Sequence, residues 1–336
     1  MSATTTAGGE PSTEVPSATR HQVAVNGIEL SYLEAGPPGG PLVVLCHGFP
    51  ELAFSWRHQI PVLADAGYHV VAPDQRGYGR TSQPAAIEDY DIVHLTDDLL
   101  GLLDALGEER AVFVGHDWGG PVVWTLAQRA PARVRAVVGM SVPFVPRAPV
   151  PPVSLLKQIF GDIFFYLLYF QTPGVADADL SRDPATMMRR MLAGLSFDTT
   201  AIQASDMLSP KDGRGFVERL PEPAALPAWL PAADLEQYVR EFTRTGFTGG
   251  LNWYRNLDRN WSLTEDLATT TVDMPALFIA GAGDAVLNMT PPSIMEGWVT
   301  DLRDTVLVPE AGHWVQQERP EPVNEALLKF LAGLPS

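Results

Sequence analysis

Apolar and polar residues fall into short blocks that switch between strand-like and helix-like spacing. His21–Val25 and Ile28–Glu34 flank Asn26-Gly27, a dipeptide that favours the left-handed backbone of a two-residue turn, so this stretch predicts a β-hairpin. Pro41–Cys46 and Tyr68–Ala72 are continuous apolar runs closed by His47-Gly48 and Pro73-Asp74, the pattern of buried strands. Ile92–Leu106 changes to helical spacing and stops at Gly107. A third buried strand is expected at Ala111–Val114, then a helix over Gly119–Ala130 and a fourth strand at Arg135–Met140. This alternation predicts a mostly parallel sheet covered by helices on both faces.

The alternation then breaks. Pro143, Pro146, Pro149, Pro151 and Pro152 form a proline-rich hinge, and the chain to about residue 262 is helical and aromatic in pattern. Strand signals return at Ala276–Ala280 and Thr305–Val308, and a last helix is expected from Pro322 to Leu331. The predicted organisation is a disordered tail over 1–20, a core domain over 21–143 and 263–336, and a helical insertion over 144–262. A length of 336 residues fits one domain with a large insertion. The 29 glycines and 30 prolines follow no collagen period and must serve turns.

Charge and cysteine content narrow the function classes. A net charge of −17 argues against nucleic acid and anionic membrane surfaces as partners. The single cysteine, Cys46, excludes an intrachain disulfide and a cysteine-based metal cluster. Residues 1–20 lack the apolar segment of a signal peptide, and the longest apolar run, Ile163–Phe170, is too short to span a bilayer. A cytoplasmic protein without membrane insertion is expected.

The most informative stretch is Val112–Gly120, an apolar strand running into Gly115-His116-Asp117-Trp118-Gly119 and then a helix. Two glycines around a central reactive side chain permit the sharp turn that lifts it above a sheet, the nucleophile turn of the α/β-hydrolase fold. The usual occupant is serine; here it is Asp117. A carboxylate does not usefully acylate, but it opens strained or activated C–O or C–halogen bonds by alkylation, leaving an ester that water must cleave. His47-Gly48-Phe49-Pro50 follows an earlier strand, so the backbone N–H groups of Phe49 and Trp118 are the candidate oxyanion hole. In the order this fold requires, Asp284 ends the strand at 276–280 and His313 follows the strand at 305–308. Such loops gather at the carboxyl ends of parallel strands, where His313 would activate water and Asp284 would orient its ring. Glu310 is nearer in sequence but reads as a solvated loop residue. His47 and His116 sit inside the other motifs, while His21, His58, His69 and His94 read as surface or packing residues. No histidine–carboxylate spacing suggests a metal site, and the chemistry calls for no cofactor.

Over about residues 21–335 the chain resembles the soluble epoxide hydrolases, most of all their actinobacterial, mycobacterial-type members. The matching stretches are HGFPE (47–51), SWRHQIP (55–61), APDQRGYGRTS (72–82), GHDWGG (115–120), YLLYFQTPG (166–174), LNWYRN (251–256) and GHWVQQERP (312–320). The resemblance implies that two tyrosines of the inserted cap, Tyr166 and Tyr254, activate the ring oxygen. A phenol suits that task because it still carries its proton at neutral pH. The resemblance favours Tyr166 over Tyr169, which lies three positions on and faces a direction roughly 60° away. Thr172 departs from the family, which more commonly has an acidic residue there; an effect on cap packing is expected. Phe49, Trp118, Phe165, Trp253 and Trp314 are the expected pocket lining, and the expected partner is a small lipophilic epoxide, with a homodimer allowed. Two rival readings remain: a haloalkane dehalogenase using the same aspartate, and a non-catalytic small-molecule binding protein on the same fold.

Overall fold

The computed structural model describes residues 10–12, 14–197 and 208–335. Among the described residues nine strands form one sheet: β1 (Glu10–Pro11), β2 (Thr19–Val25), β3 (Ile28–Ala35), β4 (Leu42–Cys46), β5 (His69–Pro73), β6 (Ala111–His116), β7 (Val134–Met140), β8 (Ala276–Gly281) and β9 (Leu302–Val308). Their spatial order is β1-β2-β3-β5-β4-β6-β7-β8-β9. The hairpin β2–β3 and the β3–β5 pair are antiparallel, and every pair from β5 to β9 is parallel. Asn26 and Gly27 both adopt positive φ, 43° and 77°, as the two-residue turn requires. Strands β4, β5, β6 and β8 are buried at every position, which explains why they read as unbroken apolar runs. Strand β9, at the sheet edge, has mostly exposed positions, and the hairpin strands β2 and β3 also expose some of theirs.

The helix Ile92–Leu106 matches its sequence pattern. Asp91 caps it by accepting hydrogen bonds from the N–H groups of Val93 and His94, and Gly107 ends it at φ 74°. Between β7 and β8 the described elements are helices, among them Pro152–Phe160, Tyr166–Tyr169, Pro184–Gly194, Ala232–Thr245 and Thr248–Arg255. Residues 198–207 of the expected helical insertion lie outside the described residues. No helix among the described residues is long and apolar enough to cross a membrane.

The expectation of a disordered segment over 1–20 is corrected in its second half; residues 1–9 lie outside the described residues. Glu10 and Pro11 pair with Arg20 and Thr19, and Val15 and Ala18 are buried in the main core. Arg20 bridges Glu14 at 2.5 Å and Asp74 at 2.8 Å. The polar composition of the segment hid these partners, because Asp74 lies more than fifty residues downstream.

Candidate active site

Register aligns Cys46 with Gly115 and His116 with Met140, so the parallel strands end level with one another. The loops that follow β4, β6, β8 and β9 carry Phe49, Asp117, Asp284 and His313 to the same edge. Asp117 sits in the turn after β6 at φ 50°, a left-handed conformation uncommon for a residue with a side chain. Its neighbours enforce that turn. A Cβ on Gly115 would lie 2.1 Å from the Gly119 carbonyl oxygen, and one on Gly119 would lie 2.1 Å from that of Cys46.

The two oxygens of Asp117 have different surroundings. The Phe49 N–H donates to Oδ1 at 2.7 Å, while Oδ2 lies 3.4 Å from His313 Nε2. Across the imidazole, His313 Nδ1 donates to Asp284 Oδ2 at 3.0 Å. Asp284 Oδ1 accepts the Val286 N–H at 2.9 Å, which holds the carboxylate in place. Burial opposes a charge on His313, but the negative charge of Asp284 and the hydrogen bonds to Asp117 and Asp284 outweigh it and hold the ring's pKa well above 6.5. Burial likewise opposes ionisation of Asp284, and His313 facing it brings the carboxyl below its usual 3.8. Glu310 has a side chain that is 75% exposed, 3.9 Å from Arg319, and takes no part in this arrangement.

Above these residues the helical layer contributes an aromatic cluster. Tyr254, in the helix Thr248–Arg255, packs edge-on against Phe49 (5.4 Å between ring centroids), Trp118 (5.1 Å) and Phe170 (5.1 Å). Tyr166 stands 6.2 Å from Tyr254 at a steep angle. Burial and the Asp117 carboxylate push both phenols above 10, so both keep their protons at neutral pH. Tyr169 faces elsewhere, its hydroxyl donating to Asp179 at 3.1 Å.

A family profile for the α/β-hydrolase fold matches residues 41–320. Epoxide hydrolase A of Mycobacterium tuberculosis is 58% identical over 316 residues, which cover 94% of this chain and 98% of that protein. The chain belongs to the epoxide hydrolases. The crystal structure of epoxide hydrolase A from Mycobacterium thermoresistibile superposes with a TM-score of 0.91 at 59% identity, covering 95% of this chain and 99% of that one. An epoxide hydrolase from an endophytic Streptomyces superposes with a TM-score of 0.90 at 39% identity, covering 95% and 96% of the two chains.

Within this epoxide hydrolase the five aromatic residues expected to line the pocket are placed differently from one another. Phe49 and Trp118 touch the ring of Tyr254. Phe165 is buried, stacked on Phe160 at 4.0 Å and edge-on to Tyr166. Trp253 is fully buried, donates its indole N–H to the Arg76 carbonyl at 3.1 Å and lies edge-on to Trp118, with centroids 6.0 Å apart. Trp314 is fully buried against His313, with centroids 4.8 Å apart.

Two supporting residues carry no assignment in the sequence reading. His116 Nδ1 lies 2.6 Å from a Glu51 carboxylate oxygen, and its Nε2 lies 2.8 Å from the His313 carbonyl oxygen. Glu51 also accepts the Gly48 N–H at 3.0 Å and the side-chain amides of Gln316 and Gln317 at 2.9 and 3.1 Å. This fully buried carboxylate therefore joins the loop after β4, strand β6 and the turn that follows His313. A charged residue next to Pro50 and an imidazole inside a buried strand were the signals in the sequence, but their partners are long-range.

Proposed function

We propose that this epoxide hydrolase opens a lipophilic epoxide in two half-reactions, with residues 144–262 acting as a cap over a core that carries the nucleophile. In the first, Asp117 Oδ2 attacks an epoxide carbon opposite the breaking C–O bond, since Oδ1 is already engaged by the Phe49 N–H. The ring oxygen takes a proton from Tyr166 or Tyr254 as that bond breaks, and the product is a hydroxyalkyl ester on Asp117. In the second half-reaction, His313 Nε2 accepts a proton from water, whose oxygen adds to the Asp117 carboxyl carbon. The N–H groups of Phe49 and Trp118 stabilise the resulting oxyanion and Asp284 stabilises the imidazolium. Collapse releases the vicinal diol as the leaving alkoxide takes the proton from His313, and the proton left on the Asp117 carboxyl returns the tyrosinate to its phenol form.

Electrostatics fits this order. Asp117 contributes to the high pKa of His313, so converting the carboxylate to a neutral ester removes part of that elevation. The ring thus becomes a better-poised base in the ester state, when water has to be activated. The observation that carries the reading is the placement of two protonated phenols opposite a carboxylate–histidine–carboxylate array. A haloalkane needs no proton donor for its halide, whereas an epoxide oxygen does.

The decisive experiment is a single turnover in ¹⁸O-labelled water with an aryl epoxide. The first-turnover diol should carry unlabelled oxygen from Asp117, with solvent label retained in the protein. Label in the first diol overturns the ester mechanism. Halide release from a haloalkane at a rate exceeding diol formation overturns the choice of substrate class.

A further inference from the structure

We propose that Glu318 is a positioning residue for His313, and that through it the helical cap is coupled to the water-activating half-reaction. The inference rests on the reading of His313 as the base. Glu318 closes the single helical turn Val315–Glu318 just beyond His313 and is buried. Its Oε1 accepts the Trp314 N–H at 3.0 Å, and its Oε2 accepts the Gly312 N–H at 3.0 Å. These are the residues on either side of His313, so one carboxylate clamps both ends of the loop that presents the base. Oε2 also accepts the Phe197 N–H at 2.9 Å and the Ser196 hydroxyl at 3.2 Å, both from the helical layer. Ser196 Oγ in turn accepts the Trp229 indole N–H at 2.8 Å.

The backbone of His313 completes the same seam. Its N–H donates to the Leu195 carbonyl at 3.0 Å, and its carbonyl accepts from His116 and from Ser141 Oγ at 2.8 and 2.9 Å. The approach of the two layers is close enough to exclude a side chain. A Cβ on Gly312 would lie 2.5 Å from the Leu195 oxygen and 2.7 Å from the Phe197 nitrogen. Hydrogen bonds to an ionised acceptor are short-ranged and directional, so they fix the loop more tightly than neutral contacts do. The imidazole must span Asp284 at 3.0 Å and Asp117 at 3.4 Å together, and a small rotation of the loop spoils one of these distances. Glu318 itself touches no reacting atom. Attack by Asp117 on the epoxide takes no proton from His313, so misplacing the base should slow ester breakdown and spare ester formation.

The test is rapid-quench mass spectrometry of the intact enzyme with an aryl epoxide, which reads formation and breakdown of the ester separately. Glu318→Gln keeps the size but turns an NH₂ group toward amide donors. We expect ester formation within about threefold of the parent and breakdown slowed about a hundredfold, so that the ester accumulates. Ser196→Ala, which removes the hydroxyl bond to Glu318 and the acceptor of the Trp229 indole, should slow breakdown by about tenfold and leave formation within about threefold. Should Glu318→Gln fail to fold, this second variant decides. Equal slowing of both half-reactions, or unchanged breakdown in a folded variant, overturns the proposal. His313→Gln in the same assay separates the two levels. If it accumulates no ester, His313 is not the water-activating base; if it does while Glu318→Gln turns over normally, only the role of Glu318 is lost.

Discussion

Tyr166 and Tyr169 differ by three positions in one short aromatic helix, yet only one faces the Asp117 carboxylate. Tyr166 shares a cluster with Tyr254 and Phe170, while Tyr169 is tied to Asp179. Removing the Tyr166 hydroxyl should therefore slow ester formation by about a hundredfold, and Tyr169→Phe should leave it within about threefold, as read by single-turnover quench. His313 supplies a second residue-level expectation. Folded, it holds its proton well above 6.5, and the unfolded chain releases it near 6.5. Its contribution to stability is thus complete below that value and lost as pH rises through the elevated folded pKa. Urea unfolding of the parent and of His313→Gln should show a stability difference that is full below pH 6.5 and shrinks as pH rises above it.

Elements were legible where local pattern and tertiary role agree. Strands β4, β5, β6 and β8 announce themselves as apolar runs because helices cover both faces, and Gly107 stops its helix by a conformation that glycine tolerates. The sharp turn at Asp117 was legible for the same reason, since Gly115 and Gly119 bracket it at the end of an apolar strand. Gly115→Ala should accordingly cost about 3 kcal/mol of stability in urea titration, because its Cβ has only 2.1 Å to the Gly119 oxygen. Gly39→Ala is the control: nothing lies within 4 Å of its Cβ, and the change should stay within about 0.5 kcal/mol. What stayed hidden depends on distant pairing. Strand β1 and the buried Val15 and Ala18 lie in a stretch whose composition reads as a tail, and the insertion of β5 between β3 and β4 cannot be read from chain order. Glu51 and Glu318 were hidden too, because isolated acidic residues ordinarily read as solvated, and only the fold surrounds them with donors.

At the scale of the whole molecule, Glu51 is where the core's separate loops are joined. Burial opposes its ionisation, but His116 facing it, with the Gly48 N–H, draws the carboxyl down from 4.5 to about 2. Removing one partner of a buried pair leaves the other uncompensated, so Glu51→Ala should lower unfolding stability by about 3–5 kcal/mol at neutral pH. That contribution is present above pH 4.5 and disappears as pH falls toward 2, so acid should narrow the gap between parent and variant. The central strand carries one more feature with a practical consequence. Cys46 is the chain's single cysteine, fully buried at the end of β4 between β5 and β6, and burial lifts its thiol well above the usual 9.0. A thiol so placed meets reagent only when the middle of the sheet separates. Its alkylation rate therefore counts openings of the deepest part of the fold, giving the enzyme a built-in clock for global unfolding without any engineered label.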